Sequence, residues 1–403
     1  MSIPKRVVIV APVVPFDAPP HAGGQYLQHV TRYAIAQGQT TVVVPNTPVN
    51  RDTAEAPGAP EDLVVVGGER PRTAAGRAVN RGLTVAYRRM RKIDPGYPSL
   101  IMARGLLRPG PAHEALLHAD VVDLQWSESI RFARLVRRVN PQARVVGTFH
   151  DVQSQLFSRE AYEEGSSLTY WRLAVWQARL HERRGVAALD EAAVFSEKDA
   201  HLLHDAPNVR VIHPPLATGA ERLPDEPLGP PTVVFVAHFS RDENDDGALW
   251  LLHQVWPLVT AAVPGASLRL VGRGTSEALG AAVDAHPEVT ATGFVDVLLT
   301  EYANAHLAVV PLRRGAGVKF KTIEALLHGV PVVTTPVGAE GIDGPDLFAG
   351  VTDDPAAFAR AMIRALTDRD QARTRARAAL GWAVGEYSLP AFERSMARHY
   401  GIE

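Results

Sequence analysis

The sequence contains no cysteine. Disulfide bonds, thiolate zinc sites, iron–sulfur clusters and a cysteine nucleophile are therefore all excluded. The chain also has no uninterrupted apolar run approaching the ~20 residues that a transmembrane helix needs. Its N-terminus carries two charges and then a short Val/Ile run broken by prolines, which is not typical of a signal peptide. These features predict a cytoplasmic protein.

Lysine is scarce, because 37 of the 42 basic residues are Arg. With abundant Ala, Gly and Pro, this bias is typical of proteins from GC-rich bacterial genomes, so the arginine content alone indicates no nucleic-acid partner. Residues 1–215 contain 26 basic and 21 acidic residues, and residues 216–403 contain 16 and 23. Neither half has the strongly basic field of a nucleic-acid-binding protein, and no nucleic-acid partner is expected.

Short apolar runs recur along the chain with helical stretches between them, a pattern typical of buried strands in parallel α/β sheets. In the first half the predicted strands are 7–10, 41–45, 63–66, 121–124, 144–148 and 192–196. In the second half they are 232–236, 267–271, 289–291, 307–310 and 331–334. The clearest helices are predicted over 25–37, 249–259, 319–328, 356–380 and 388–400.

A chain of 403 residues is too long for one ordinary core, so two domains are expected. Residues 213–231 contain six prolines and almost no periodicity, which indicates a linker. We predict a Rossmann-like domain over 1–215, a second over 216–380, and a C-terminal helix in 381–403 that packs back on the first. Two such α/β domains facing a cleft bind ligands at the carboxyl ends of their strands.

The most informative stretch, residues 311–341, is a strand, a glycine loop, a helix, a second strand and a second glycine loop. Two of the five lysines, Lys319 and Lys321, fall in the predicted first turn of its helix, where the helix dipole disfavours cations. A bound anion would offset this unfavourable concentration of positive charge at the helix N-terminus. The N–H groups around Gly315 and Gly317, together with both lysines, therefore predict a phosphate or diphosphate site.

A carboxylate follows on the same helix. Lys321, Glu324 and His328 share one face, and Glu324 is placed to accept hydrogen bonds from ribose hydroxyls. From spacing alone, a solvated salt-bridged face is the alternative.

At these residues the sequence resembles a known family. The run 317–342 is similar to the donor-site signature of retaining glycosyltransferases with the two-domain GT-B architecture, specifically family 4. Similarity extends through 235–247, 271–274 and 292–296, and rests in the first half on 15–24, 148–151 and 196–199. The resemblance implies a nucleotide diphosphate sugar bound by residues 232–380, an acceptor held by the first half, and no metal cofactor.

The resemblance also implies a set of site residues. Glu324 matches the family's second Glu of a Glu-(seven residues)-Glu pattern, which holds ribose, while Ala316 replaces the first. The loop after strand 232–236 also differs from the family's pattern. Many members carry an Arg and a Lys in this loop, whereas Arg241 is the main cation there in this chain. The implied donor-binding residues are Gly23, Gly24, Arg241, Gly272, Arg273, Phe294, Val295, Ala316, Gly317, Val318, Lys319, Lys321 and Glu324, and the implied catalytic residues are His150 and Lys319.

His150 directly follows the strand 144–148 region, at the sheet edge from which ligands are reached. By resemblance it is the active-site histidine that donates a hydrogen bond to the transferred sugar; a structural histidine is the alternative. Gly23 and Gly24 resemble a flexible loop that approaches the diphosphate, and an ordinary glycine-containing helix start is the alternative.

The resemblance implies sugar transfer to a hydroxyl or amine with retention, by front-face attack with the leaving phosphate as base. Two alternatives stay open: a non-catalytic nucleotide-sugar-binding partner of another transferase, and a two-domain sugar epimerase.

The segment 70–92 contains eight basic residues and no acid. A solvated surface, a site for an anionic acceptor and a contact with anionic lipid all remain open. Membrane contact is not favoured, because Val79, Leu83, Val85 and Tyr87 make no wide hydrophobic face.

Overall fold

The computed structural model describes residues 5–17, 19, 22–67, 74–163, 168–216, 227, 229–315, 317–344 and 346–402. The chain divides into two compact units. Unit 1 contains Met1–Pro214 together with Phe392–Glu403, and unit 2 contains Pro215–Ala391. The predicted linker, 213–231, lies largely outside the described residues.

Unit 1 is built on a seven-stranded parallel sheet with the strand order β3-β2-β1-β4-β5-β6-β7. Its strands are β1 Val7–Val10, β2 Thr40–Pro45, β3 Leu63–Val66, β4 Val121–Gln125, β5 Arg144–Thr148, β6 Glu191–Val194 and β7 Val209–Val211. Its helices are α1 Ala22–Gln37, α2 Pro48–Thr53, α3 Ala74–Arg91, α4 Leu100–Leu107, α5 Pro111–Leu117, α6 Trp126–Ile130, α7 Ala133–Val139, α8 Gln153–Glu163, α9 Leu168–Val186 and α10 Glu197–Leu202. All four residues of β1 are buried, as expected for a central strand covered on both faces.

Unit 2 repeats the arrangement with six parallel strands in the order β10-β9-β8-β11-β12-β13. The strands are β8 Thr232–Val236, β9 Ser267–Val271, β10 Val289–Gly293, β11 Leu307–Val310, β12 Val332–Thr334 and β13 Gly350–Val351. The helices are α11 Asp242–Trp250, α12 Trp256–Ala262, α13 Glu277–Asp284, α14 Leu298–Ala303, α15 Phe320–Leu327, α16 Pro355–Thr367 and α17 Arg369–Tyr387, and α18 Leu389–Tyr400 runs from unit 2 into unit 1.

Every strand predicted from an apolar run is present, with ends that differ by at most two residues. Two short edge strands, β7 and β13, were not predicted. The helix predicted over 249–259 is interrupted by a π-helical turn at Leu251–Val255. The helix predicted over 356–380 is two helices, because Asp368 ends α16 and its side chain caps α17 by accepting from the Gln371 N–H.

In each sheet the strand order reverses beside the first strand, which is the doubly wound Rossmann arrangement. The reversal lies between β1 and β4 in unit 1 and between β8 and β11 in unit 2, and such reversal points are where doubly wound folds bind ligands. Apolar side chains fill both faces of the unit 2 sheet. No helix of the described ranges combines the length and apolar character needed to cross a membrane.

Candidate functional site

The predicted donor-side residues of unit 2 lie at one edge of its sheet. Arg241 follows β8, Gly272 and Arg273 follow β9, Phe294 and Val295 follow β10, and Gly317, Val318 and Lys319 follow β11. The strands are parallel, so all these residues share the carboxyl edge. Ala316 lies outside the described residues.

The starts of α11 and α15 meet at the reversal point of this sheet. The Nζ of Lys321, in the first turn of α15, donates a hydrogen bond to the Oδ1 of Asn244 in α11. Asn244 is buried, and its Nδ2 donates to the His238 carbonyl oxygen at 2.8 Å, which directs the amide oxygen towards Lys321. A Cβ on Gly247 would lie 2.7 Å from the Pro311 carbonyl oxygen, so the close approach of α11 to the loop after β11 requires glycine.

Lys321 is a half-buried cation, and among the described residues no carboxylate lies at hydrogen-bond distance from it. Burial lowers the pKa of its ammonium group to about 8, while Glu243 raises it and Arg241 lowers it further. Lys321 is therefore still protonated at neutral pH and is held at the edge where an anion would bind.

Lys319 is the N-cap of α15 and has extended backbone, so the predicted helix over 319–328 begins one residue later, at Phe320. Its Nζ donates to the Gly317 carbonyl oxygen at 2.5 Å and lies 3.8 Å from the Oε2 of Glu340. The Lys319 and Glu340 side chains are only 9% and 8% exposed. A phosphate at this position would share the Lys319 ammonium with Glu340.

Glu324 lies further along α15 and is half-buried. Burial raises the pKa of its carboxyl group to about 7. Within the described ranges its carboxylate has no hydrogen bond or ion pair, and Lys321 bonds to Asn244 instead. The salt-bridged face that spacing alone allowed is therefore not formed. Burial, and then the Glu324 charge, raise the pKa of the neighbouring Tyr302 well above its usual value.

We expect Glu324→Gln to lower the affinity for a nucleoside and for its diphosphate alike, because the carboxylate is the better acceptor for ribose hydroxyls. The unliganded protein should melt at the same temperature or higher, since a partly desolvated carboxylate without a partner is removed. Calorimetric binding and thermal melting measure the two effects. An earlier melt with unchanged affinity would make Glu324 a structural residue.

Gly272 marks a close approach of two backbone segments. It has φ +137°, and a Cβ there would lie 1.8 Å from the Ala237 carbonyl oxygen, so only glycine fits. Beside it the Arg273 guanidinium lies 5.5 Å from the ring centre of Phe294, which is 67% exposed. Phe294 and Arg273 thus present an exposed aromatic ring and a cation at the carboxyl edge, whereas Val295 packs partly into the core.

Arg241 occupies the N-cap position of α11, makes no capping hydrogen bond with its side chain, and is exposed. Its guanidinium reaches Glu243 only at 4.0 Å, a weak surface ion pair. Its cation therefore remains accessible to an anion approaching the same edge as Lys321.

In unit 1, His150 lies at the carboxyl edge just after β5 and is 7% exposed. Its Nε2 is 2.9 Å from the Oε1 of Gln125, which ends β4. Its ring stacks on Trp126 with centroids 3.6 Å apart and planes 11° apart. Tyr26 and Phe195 contact it edge-on, each with centroids 5.3 Å away. Side chains from α1 and from the ends of β4 and β6 thus surround His150.

Gly23 and Gly24 lie in the first turn of α1, which begins at Ala22 and not at residue 25 as predicted. A Cβ on Gly23 would lie 2.8 Å from Trp126 Cζ2 and 3.1 Å from His150 Nδ1. The structure therefore brings the glycine pair and His150 together. Sequence reasoning missed Gln125, Trp126, Asn244 and Glu340, although the position of Gln125 and Trp126 after an apolar strand was an available signal.

The basic segment forms α3, and none of its described side chains is buried. Val79 and Val85 are exposed, while Leu83 and Tyr87 are half-buried. Arg70 and Arg72 lie outside the described residues. In the part of the chain that the structure describes, no group of three or more His, Asp or Glu residues is placed to hold a metal ion.

Comparisons with known proteins point to one family. Residues 230–368 match the family described as glycosyl transferases group 1. A 44.6 kDa protein of the cps region of Klebsiella pneumoniae is 28% identical over 141 residues, which are 32% of this chain and 36% of that protein. The match thus spans about a third of this curated relative.

Solved structures cover the whole chain at low identity. The Anabaena protein HepE, in complex with UDP and glucose, has a TM-score of 0.64 at 12% identity and covers 99% of this chain and 100% of its own. Sucrose-phosphate synthase of Thermosynechococcus elongatus has a TM-score of 0.64 at 18% identity, with 99% and 98% covered.

The fold is therefore the GT-B fold of glycosyltransferases, as predicted. The donor-site signature identified in the sequence lies within residues 230–368, the part of the chain that matches the glycosyl transferases group 1 family.

Proposed function

We propose that the protein transfers a sugar from a nucleoside diphosphate sugar to an acceptor hydroxyl or amine with retention of anomeric configuration. Unit 2 holds the donor and unit 1 the acceptor. The observation that carries the proposal is Glu324, a half-buried carboxylate with a pKa raised to about 7 and no partner among the described residues. Such a group is costly unless a ligand supplies its hydrogen bonds.

The neighbouring cations fit the rest of a nucleotide. Lys321 and Arg241 present positive charge near the N-termini of α15 and α11, and Lys319 adds a cation shared with Glu340. These groups suit a diphosphate. The UDP bound to HepE supports a nucleoside diphosphate donor. Phe294 and Arg273 would lie along the base, and the backbone around Gly317 and Val318 would contact the sugar.

In the proposed reaction the acceptor oxygen or nitrogen bonds to the anomeric carbon as the bond from that carbon to the diphosphate breaks. The leaving phosphate takes the acceptor's proton, and the cations and N–H groups stabilise its growing negative charge. His150 assists from unit 1. Its proposed role is the hydrogen bond to the transferred sugar that the resemblance implies, made from a ring whose Nε2 lies 2.9 Å from the Oε1 of Gln125.

A thermal-shift panel of nucleosides and nucleoside diphosphates tests the donor site. The matching diphosphate at about a hundred times its dissociation constant should stabilise the protein by roughly 2.7 kcal/mol, and the nucleoside by less. Hydrolysis of the corresponding nucleotide sugar by the purified protein then separates an enzyme from a non-catalytic binding partner. No stabilisation by any diphosphate would contradict the proposed donor site.

Affinity for the diphosphate should be highest between about pH 7 and pH 8. Above 8 the free protein loses the Lys321 proton that an anion requires, so affinity should fall by up to about tenfold per pH unit. Below 7 Glu324 becomes protonated in the free protein and accepts ribose hydroxyls less well. Calorimetric titration with the bare nucleoside is the control, because only the acid-side loss should remain.

A further inference from the structure

We propose that Gln125, Asp123 and Tyr400 are positioning residues that hold the His150 ring in one orientation with its proton on Nε2. The proposal deepens the proposed function and rests on it for its catalytic meaning. The four side chains form an unbroken line of hydrogen bonds inside unit 1, and Tyr400 belongs to the last helix of the chain, α18.

The direction of each hydrogen bond follows from the groups present. The Tyr400 hydroxyl donates to Asp123 Oδ2 at 2.8 Å, and the Gln125 amide nitrogen donates to Asp123 Oδ1 at 2.8 Å. The same nitrogen lies 3.2 Å from the Thr148 hydroxyl oxygen. The Gln125 amide oxygen therefore faces His150, and only a proton on Nε2 completes the 2.9 Å contact.

Burial makes this line costly to disturb. Asp123, Gln125 and Tyr400 are almost completely buried in the interior of unit 1. Burial raises the pKa of Asp123, whereas His399 and the hydrogen bonds from Tyr400 and Gln125 lower it. A core that needed packing alone would use apolar side chains here, because each buried polar group must be satisfied.

Backbone strain fixes the ring from another side. Trp126, which stacks on His150, has φ +69°, a conformation that a bulky residue rarely adopts. Strain of this kind persists where the surroundings over-determine it and is concentrated at functional sites. Gly23 closes on the same pair, with no room for a Cβ. Stacking on Trp126, edge contacts and the hydrogen bond with Gln125 thus all act on the ring.

The anchoring of α18 keeps the Tyr400 hydroxyl in place. Arg144 Nε donates to the His399 carbonyl oxygen at 2.8 Å, and His399 Nδ1 lies 3.0 Å from Glu191 Oε1. Tyr33 packs against the Tyr400 ring with centroids 5.8 Å apart. The end of the chain therefore contributes a hydroxyl to the surroundings of His150, 250 positions earlier in the sequence.

The test is the ring nitrogen signals of His150, read by long-range proton–nitrogen correlation in histidine-labelled protein. His150→Ala assigns the signal. We expect the wild-type protein to carry the proton on Nε2. Tyr400→Phe keeps the ring and its packing but removes one donor to Asp123, and it should give a mixture of tautomers; Gln125→Leu should give a larger change. Tyr33→Phe removes a hydroxyl from the same aromatic cluster and should leave the His150 signals unchanged.

Turnover with the nucleotide sugar is the second readout. Gln125→Leu should lower kcat about tenfold or more with little change in the donor KM, and Tyr400→Phe should lower it less. A wild-type proton on Nδ1, or unchanged His150 signals in Tyr400→Phe and in any folded Gln125→Leu protein, overturns the proposal. The nitrogen signals need no substrate, so a protein inactive on every nucleotide sugar would contradict the proposed function and leave this result standing.

Discussion

Replacing His150 with alanine should lower turnover by about 100-fold or more, while the affinity for the nucleoside diphosphate stays nearly unchanged. The reason is location. His150 lies in unit 1 at the end of β5, whereas the groups that suit a diphosphate lie in unit 2. Gln125 and Trp126 hold its ring in a fixed orientation, which a group that acts on the transferred sugar requires.

The matched control is His201→Ala, because His201 is an exposed histidine of the same unit and pairs with Asp205 at the surface. Its turnover should equal that of the wild-type protein. Steady-state kinetics together with thermal melting separates the two possible roles of His150. Near-normal turnover in a destabilised His150→Ala protein would show that His150 supports the fold and takes no part in the reaction.

Lys321→Ala should weaken binding of the nucleoside diphosphate far more than binding of the bare nucleoside. Each lost charge-assisted hydrogen bond costs on the order of 1.5–3 kcal/mol, about a 10- to 150-fold change in affinity. Lys319→Ala should show the same selectivity and also melt earlier, because it removes the ammonium group that lies 3.8 Å from the buried carboxylate of Glu340.

Calorimetric titration with both ligands makes this measurement. Lys92→Ala, which removes an exposed lysine from unit 1, should bind both ligands as the wild-type protein does. If Lys321→Ala lost nucleoside and diphosphate affinity equally, the assignment of Lys321 to the phosphates would be wrong.

Much of the fold was predictable because its strands are buried on both faces. A run such as Val7–Val10 needs no alternation to be recognised, and all eleven runs identified in the sequence are strands. The two strands that were missed contain three and two residues and lie at sheet edges, where the apolar signal is too short to read. The break at Asp368 was missed because its neighbours are good helix formers and only its capping side chain marks it.

The candidate site was predictable where its residues are close in sequence. Lys319, Lys321 and Glu324 fall within a single loop and helix, so spacing alone places them near one another. Their partners come from elsewhere: Asn244 from α11, Glu340 from the loop after β12, and for His150 a glutamine 25 positions earlier. Contacts between distant segments depend on tertiary packing, which a local pattern does not encode.

The composition of unit 1 from two separate stretches of chain has a consequence for protein engineering. Unit 2, residues 215–391, lies in the sequence between the two segments of unit 1, which end at Pro214 and resume at Phe392. A chimera that carries unit 2 of another protein must therefore exchange residues 215–391 as an internal segment and retain residues 392–403 of the parent. A head-to-tail fusion at residue 214 would instead replace Phe392, Met396 and Tyr400, all of which are buried. The apolar surface of unit 1 that these side chains cover would then be exposed or poorly packed.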